Sequence, residues 1–336
     1  MTGTPTLAPA PAKPRPRMRL ARFRDLALVP AILVLVLVGA LIDPVFLTRD
    51  NLVNVLQQQT ELSLLVLAES VILIAGKFDL SLESTIGLAP ALALGLVIPT
   101  ASHGLGTDWP TALAIPICLL TGVAIGAFNG LLILRFKLSA FIVTLGMLIV
   151  LRGLQIGLTG GQNLFDIPPS VLYLGNATWL GLPASIWICA VLFAAGILAL
   201  SFLRAGRAVY AIGGNVDAAR AAGIRTDRVL WLTLVVASTL AALGGLLLSG
   251  RLASVAAAQG NGDIFTVFAA AVIGGVSLSG GKGSVFGAFT GVLLLFMIQN
   301  VLTLAGVPAQ WISALNGAII LIALAVSRIT SGRAQE

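Results

Sequence analysis

The residues most able to do chemistry in this sequence are a few carboxylates that interrupt long apolar runs. Glu69 lies well inside the apolar stretch 62–76, and Asp79 and Glu83 follow it closely. A charged carboxylate at the centre of a bilayer costs at least about 2.5 kcal/mol, so Glu69 should face a cavity or a polar partner, or be protonated. Such groups could form a hydrogen-bonding wall for a hydroxylated solute. A polar contact between two helices would explain Glu69 equally well.

Catalytic and metal chemistry, by contrast, lack the residues they need. His103 is the only histidine and lies in a short Gly-containing loop, while Cys118 and Cys189 both lie inside apolar runs. This argues against a Ser–His–Asp triad, a zinc site and a disulfide framework. Lys282 has a Gly-rich context, but Gly283 follows it and the G-x-x-x-x-G-K-[ST] spacing of a phosphate-binding loop is missing. We therefore expect no enzyme, no metal site and no ATP bound by this chain.

The composition indicates which elements must position the carboxylates. Of 336 residues, 58% are hydrophobic and 10% are charged, whereas soluble domains carry roughly 25% charged residues. The mean hydropathy is +1.03. The formal net charge of +7 comes mostly from basic residues between apolar runs, which is typical of membrane topology and not of a surface that binds nucleic acid.

A helix that crosses about 30 Å of hydrocarbon needs about 20 residues. The best division of the sequence gives ten such spans, at about residues 26–42, 62–76, 84–100, 111–134, 139–158, 183–203, 229–249, 264–279, 284–305 and 310–327. Residues 1–25 form a basic, Pro-rich tail without a small-residue cleavage site, which favours a cytoplasmic tail over a signal peptide. The sequence thus predicts an all-α polytopic membrane protein with a transmembrane domain over 26–328 and a second cytoplasmic tail over 329–336.

The distribution of basic residues predicts the orientation of these spans. With the amino terminus inside, 17 of the 20 Lys and Arg residues lie on the inner side. The other three, Arg49, Arg152 and Arg251, are assigned to the outer side. This asymmetry follows the positive-inside rule and predicts a cytoplasmic amino terminus.

The longest inner connection, residues 204–228, has the pattern of a structured element. Asn215 is suited to cap a short helix over 216–222, and Gly223 to end it. A short helix with charged residues around it, at the membrane surface, could serve to dock a partner. An ordinary surface helix that links two spans would show the same pattern.

Two polar stretches, 76–84 and 274–284, interrupt apolar sequence at membrane depth and predict broken helices near a pathway. Three glycine triplets at four-residue spacing predict smooth helix faces for close packing. They are Gly122, Gly126 and Gly130; Gly153, Gly157 and Gly161; and Gly283, Gly287 and Gly291.

At these residues the chain resembles the membrane permease subunits of sugar-type ABC importers, as in ribose and xylose uptake. Residues 76–84 (GKFDLSLES) are similar to the family motif G-G-I-D-L-S-V-G-S, although Lys77 and Glu83 replace two motif glycines. Residues 128–132 (FNGLL) and 138–146 (LSAFIVTLG) are similar to N-G-L-L…P-x-F-I-V-T-L-G. Residues 206–215, which end in VYAIGGN, and 218–224 (AARAAGI) resemble the cytoplasmic coupling segment, and 271–284 (AVIGGVSLSGGKGS) the late Gly-rich motif.

The resemblance implies an ABC importer permease fold and a set of partners. Such permeases pair in the membrane with a second copy or a related subunit, bind two cytoplasmic ATPase subunits, and receive solute from an extracytoplasmic binding protein. ATP and Mg²⁺ are used by the ATPase. The residues expected to contact the ATPase are Arg207, Tyr210, Gly213, Gly214, Asn215, Ala219 and Gly223. Motif positions and the polar residues of the apolar runs give the expected solute pathway, namely Glu69, Asp79, Ser81, Glu83, Asn129, Phe141, Thr144 and Asn300.

The sequence thus predicts a multi-pass permease of the bacterial inner membrane that moves a monosaccharide inward by alternating access. The same machinery could carry nucleosides, branched-chain amino acids or a sugar-like signalling molecule. A secondary transporter driven by an ion gradient is a different possibility, with Glu69 and Asp79 as a proton relay. The 204–228 segment separates the two, because a gradient-driven transporter needs no docking site for an ATPase.

Overall fold

The computed structural model describes residues 28–312, 314, 315, 317, 318 and 321. The tail 1–25, the start of the first predicted span, most of the tenth and the tail 329–336 lie outside the described residues. The helices are α1 Val29–Ile42, α2 Arg49–Gln58, α3 Thr60–Ile74, α4 Leu82–Val97, α5 Ala114–Gly130, α6 Ala140–Thr159, α7 Pro169–Asn176, α8 Ala184–Phe202, α9 Arg204–Gly214, α10 Val216–Ala221, α11 Thr226–Leu252, α12 Asp263–Ile273 and α13 Val285–Leu304. A two-residue hairpin pairs β1 Thr178–Trp179 with β2 Leu182–Pro183.

Each of the first nine predicted apolar spans contains a helix. Five segments are long and apolar enough to cross a membrane, namely Thr111–Arg135, Ala140–Thr159, Ala184–Phe202, Thr226–Leu252 and Val285–Leu304. The first, third and eighth spans correspond to the shorter apolar helices Val29–Ile42, Leu82–Val97 and Asp263–Ile273. The all-α polytopic architecture is therefore confirmed, and the count of ten spans stays a prediction.

Helix α11 is the centre of the packing and lies against α3, α4, α5 and α7. The glycines of α5 allow the closest approach. A β-carbon at Gly122 would lie 2.7 Å from the Ala242 β-carbon, and one at Gly126 would lie 2.7 Å from the Val235 α-carbon. The predicted smooth face of α5 is therefore used for close helix packing.

The second glycine triplet does not behave in this way. Gly153 and Gly157 lie on α6, and no atom of the described chain comes within 4 Å of a β-carbon built at either position. Gly161 lies beyond the end of α6 with φ +73°, so it belongs to a turn and not to the helix face. The open face of α6 also carries the exposed side chains Ile142 and Ile149.

Helix α12 is shorter than its predicted span 264–279, because it ends at Ile273. At 1.5 Å per residue its 11 residues extend about 16 Å, roughly half of the hydrocarbon thickness. The preceding segment 253–262 therefore reaches into the protein, where Gln155 Nε2 donates to the carbonyl of Ala257 at 3.1 Å. Non-helical backbone at this depth requires such burial in protein.

The predicted structure of the segment 204–228 is confirmed. Asn215 Oδ1 accepts a hydrogen bond from Ala218 N at 2.9 Å, which is the N-cap of α10. Gly223 has φ +82° and follows the helix end, as a C-terminal glycine does. Helix α9, which was not foreseen as a complete helix, precedes this cap.

A polar layer that the sequence did not predict lies at the other end of the bundle. Arg49 of α2 donates to the carbonyl of Gly181 in the hairpin at 2.7 Å, and Gln57 donates to the carbonyl of Gly175 at 3.1 Å. Helices α2 and α7 and the hairpin thus hold one another by long-range hydrogen bonds.

Candidate functional site

Four of the expected pathway residues form one buried cluster. Glu69 comes from the middle of α3, Asp79 and Ser81 from the connection between α3 and α4, and Asn129 from the end of α5. All four side chains are fully buried. The connection returns towards α3 after the turn at Gly76, which has φ +75°, and this return brings Asp79 beside Glu69.

The hydrogen bonds of the cluster have a defined direction. Asp79 Oδ1 accepts from Ser81 N at 2.9 Å and from Ser81 Oγ at 2.5 Å. Because the Ser81 hydroxyl proton is used there, Ser81 Oγ acts as acceptor for Asn129 Nδ2 at 2.8 Å. Asn129 therefore presents its amide oxygen away from Ser81. Glu69 Oε1 accepts from Asp79 N at 3.4 Å.

Three oxygens of this cluster have no hydrogen-bond partner among the described residues, namely Glu69 Oε2, Asp79 Oδ2 and Asn129 Oδ1. Neither carboxylate forms an ion pair in the described part of the chain. A buried acceptor without a donor costs about 1–3 kcal/mol. The cluster therefore contains three buried hydrogen-bond acceptors that the described chain itself does not satisfy.

Glu83 lies nearby but outside this cluster. Its Oε1 pairs with Arg152 Nη2 of α6 at 3.4 Å, and its Oε2 accepts from Ile264 N at the start of α12 at 3.2 Å. Arg152, which the charge distribution assigned to the outer side, thus lies within α6 as the partner of a buried carboxylate. Both oxygens of Glu83 are engaged.

The other expected pathway residues are not brought together. Thr144 is buried, but its hydroxyl donates to the carbonyl of Ala140 within its own helix at 2.8 Å. Phe141 is exposed on the open face of α6. Asn300 of α13 exchanges hydrogen bonds with Asn51 of α2, at 3.0 and 2.9 Å.

Three Gly-rich stretches meet at the end of α9. A β-carbon at Gly76 would lie 3.4 Å from the Gly213 α-carbon. One at Gly280 would lie 2.7 Å from both Gly213 O and the Gly76 α-carbon, and one at Gly281 would lie 2.8 Å from the Gly214 α-carbon. We call this contact of residues 76, 213–214 and 280–281 the glycine junction. It joins both predicted polar stretches to the 204–228 segment through main-chain atoms.

Two further hydrogen bonds reinforce the glycine junction. Gly281 N donates to the carbonyl of Ile74 at 2.8 Å, and Tyr210 donates its hydroxyl proton to the carbonyl of Gly283 at 2.9 Å. Of the other residues expected to contact an ATPase, Ala219 is buried, and Arg207 donates to the carbonyl of Phe202 at 2.9 Å. A β-carbon built at Gly214 or Gly223 would have no atom of the described chain within 4 Å.

Sequence reasoning missed the polar residues that hold the segment 253–262. Arg152 Nη1 donates to Gln155 Oε1 at 3.0 Å and to the carbonyl of Gln259 at 2.7 Å, and Gln259 Nε2 donates to the carbonyl of Ile86 at 2.8 Å. The one sequence feature that could have indicated this site is Arg152, a single arginine inside the apolar span 139–158. No local pattern pointed to Gln259.

The comparisons with known proteins agree with this architecture. Residues 51–324 match the family described as branched-chain amino acid transport system / permease component. The ribose import permease protein RbsC of Escherichia coli strain K12 is 32% identical, with 88% of this chain and 91% of that protein covered. RbsC of Bacillus subtilis is 32% identical over 88% and 90%, and the autoinducer 2 import system permease protein LsrC of Klebsiella pneumoniae is 33% identical over 89% and 84%. No solved structure matches this chain significantly.

These matches cover most of the chain and most of each relative. The chain is a multi-pass inner-membrane protein and a transport subunit, not an enzyme. It belongs to the family of permease components of ABC importers, within its sugar-type branch.

Proposed function

We propose that this chain is the transmembrane subunit that moves a monosaccharide, pentose- or hexose-like, into the cytoplasm, driven by ATP hydrolysis in a partner ATPase. The glycine junction carries this proposal, because it connects the 204–228 segment directly to the strip of residues 76–83, which bears Asp79 and Ser81. In this proposal the chain binds no cofactor itself, and ATP and Mg²⁺ act in two ATPase subunits on the cytoplasmic side.

The transport step makes and breaks no covalent bond. When the ATPase pulls on α9, the end of α3 and the stretch 274–284 follow, because both contact Gly213 or its neighbour through main-chain atoms. The helices then alternate between an outward-open and an inward-open arrangement. Solute favours one of these arrangements only as far as it binds the two with different affinity.

The unpartnered acceptors of the buried cluster support a hydroxylated solute. Three buried oxygens on Glu69, Asp79 and Asn129 lack donors among the described residues, and each can accept a hydrogen bond from a hydroxyl group. The names of the relatives refer to ribose and autoinducer 2. An extracytoplasmic binding protein would make the main selection, since only 6% of the residues are aromatic.

A second permease subunit, either another copy or a related chain, fits the open face of α6. Gly146, Gly153 and Gly157 leave this face smooth, and within the described residues nothing covers it. Small residues of this kind allow close helix contact in lipid. We place the partner helix here because the other two glycine triplets are already filled within the chain.

The docking of the ATPase is tested by capture of the ATPase subunit from native membranes with wild type and with Gly214→Trp. The substitution is suitable because a β-carbon at Gly214 meets open space in the described chain, so we expect the fold to be retained. Leu180→Trp is the matched control, since Leu180 is 90% exposed on the hairpin away from α9. We expect wild type and Leu180→Trp to capture the ATPase and Gly214→Trp, normally inserted, to lose it.

If wild type captures no ATPase in mild detergent, the gradient-driven alternative is favoured. Uptake into energised vesicles without ATP, and its loss in Glu69→Gln, would then support a proton relay. The solute itself is identified with reconstituted complex and a panel of pentoses, hexoses, nucleosides, branched-chain amino acids and autoinducer 2. Uptake of amino acids alone would contradict the monosaccharide proposal.

A further inference from the structure

Helix α12 is attached at both of its ends to the strip of residues 76–83. At its beginning, Ile264 N donates to Glu83 Oε2 at 3.2 Å. At its end, the stretch 274–283 leads into the glycine junction, where Gly280 contacts Gly76. The strip and α12 are therefore joined at two places, at the Glu83–Ile264 hydrogen bond and at the glycine junction.

The side chain of Glu83 makes the contact with the beginning of α12. Its carboxylate accepts from Ile264 N with one oxygen and pairs with Arg152 through the other, at 3.4 Å. Only 6% of the Glu83 side chain and 15% of the Arg152 side chain are exposed. A β-carbon at Gly260 would overlap the carbonyl of Glu83, so the segment 253–262 packs directly on this residue.

Arg152 stabilises the buried carboxylate of Glu83. It neutralises Glu83 and uses its second nitrogen for Gln155 and the carbonyl of Gln259. A buried charge left without its partner costs about 3–5 kcal/mol, whereas the replacement of both partners by neutral groups of similar volume is often harmless. Removal of the pair as a unit therefore leaves no unpaired charge on Glu83 or Arg152, and we expect the fold to be retained even though Gln155 Oε1 and the carbonyl of Gln259 lose the Arg152 donor.

We propose that Glu83 is a positioning residue of the transport cycle, which ties the beginning of α12 to the 76–83 strip so that α12 follows the movement of α9. This inference rests on the proposed ATP-driven import. The tether is the hydrogen bond from Ile264 N to the Glu83 carboxylate, and Arg152 is the charge partner of that carboxylate. When the tether is lost, ATP hydrolysis continues to move α9, the strip and the end of α12, but the beginning of α12 no longer follows them.

The test compares three double variants in reconstituted complex with its ATPase and binding protein. Glu83→Leu/Arg152→Met removes both the charges and the tether. Glu83→Gln/Arg152→Gln removes the charges but keeps an acceptor for Ile264 N. Glu61→Leu/Arg251→Met is the control for location, because Glu61 and Arg251 form another buried ion pair, at 2.7 Å, away from the strip. The readout is the number of solute molecules imported per ATP hydrolysed.

We expect the Leu/Met variant at positions 83 and 152 to lower this ratio about tenfold, and the other two variants to keep it within about twofold of wild type. Equal ratios in all three variants would overturn the proposal. So would a loss in the Gln/Gln variant as large as in the Leu/Met variant, which would make the ion pair itself the important feature.

If the Leu/Met variant is not recovered in membranes, the exchanged pair Glu83→Arg/Arg152→Glu distinguishes a role of the tether from a role of the ion pair. It restores an ion pair, but an arginine at 83 cannot accept a hydrogen bond from Ile264 N. A low ratio supports the tether, and a normal ratio shows that only the ion pair matters. Absence of ATP-driven uptake by wild type would instead contradict the proposed function as a whole.

Discussion

Gly213 of α9 lies so close to the end of α3 that a β-carbon on it would overlap the carbonyl oxygen of Ile74. The same carbonyl accepts a hydrogen bond from Gly281 N at 2.8 Å. One backbone group of α3 is thus held by two distant segments of the chain. Glu69 precedes Ile74 on the same helix, so α3 connects this contact directly with the buried cluster.

Replacement of Gly213 by alanine should therefore destabilise the protein. The added methyl group overlaps Ile74 O and approaches Gly281 N to 2.6 Å, and overpacking of this kind costs about 1–3 kcal/mol. Gly214→Ala is the matched control, because a β-carbon there meets open space. Thermal unfolding of the purified permease measures the difference. Equal melting temperatures for the two variants would contradict the contact at Gly213.

The glycines of α5 and α6 should respond differently to the same substitution. Gly126→Ala places a methyl group against the backbone of Leu234 and Val235 and should cost about 1–3 kcal/mol. Gly153→Ala meets nothing in the described chain and should be neutral or stabilise α6 by up to about 1 kcal/mol. Thermal unfolding of the dispersed single chain measures both.

The open face of α6 gives a separate prediction. Gly153→Leu should leave the stability of the single chain nearly unchanged but reduce cross-linking between two permease subunits in the membrane. The bulky side chain prevents close approach of a second helix. Leu180→Trp serves as the control, since Leu180 is exposed at a distance on the hairpin. Undiminished cross-linking would place the second subunit elsewhere.

Glu69→Gln tests whether the buried acceptors contact the solute. Glutamine keeps an oxygen for Asp79 N but replaces the unpartnered Oε2 with a donor. Loss of one acceptor should raise the solute concentration for half-maximal uptake about three- to tenfold, as expected for one hydrogen bond. Thr290→Val is the control, because its buried hydroxyl bonds only within α13. If the solute concentration for half-maximal uptake is unchanged in Glu69→Gln, Glu69 contributes to helix packing and does not contact the solute.

The amides of Asn51 and Asn300 should behave as a structural pair. Asn300→Leu leaves the side-chain oxygen of Asn51 without its donor, and we expect a loss of about 1–3 kcal/mol. Asn51→Leu/Asn300→Leu should recover part of this loss, because neither amide then remains unpaired and only the carbonyl of Phe46 loses its hydrogen bond from Asn51 Nδ2. A double-mutant cycle on thermal stability measures the interaction. Simple additivity would show that the two amides do not interact.

The sequence predicted the helices well because their signals are local. Apolar runs of sufficient length define the spans, and the cap at Asn215 and the stop at Gly223 depend on residues that lie a few positions apart. The length of α12 was overestimated, because the apolar residues after Ile273 belong to a turn with Gly275 at φ +84°. Apolar composition alone does not distinguish such a turn from a helix.

The sites were harder to predict because they depend on distant residues. The sequence predicts Glu69, Asp79, Ser81 and Asn129 as separate pathway residues, and only the fold shows that they form one network. It predicts Asn300 on the same grounds, yet Asn300 pairs with Asn51 in another part of the molecule. The partner of Glu83 is 69 positions away on α6, and no local pattern relates the two.

The contacts of the glycine junction do not depend on the side chains of the buried cluster. Its contacts are made by main-chain atoms of residues 76, 213–214 and 280–281, which are the same in every sequence that keeps these glycines. Side chains of the buried cluster can therefore change without altering the contacts of the glycine junction. Under the proposed function, such a permease can acquire a new solute by substitutions in its interior while its connection to the 204–228 segment, and so to the same ATPase, is kept.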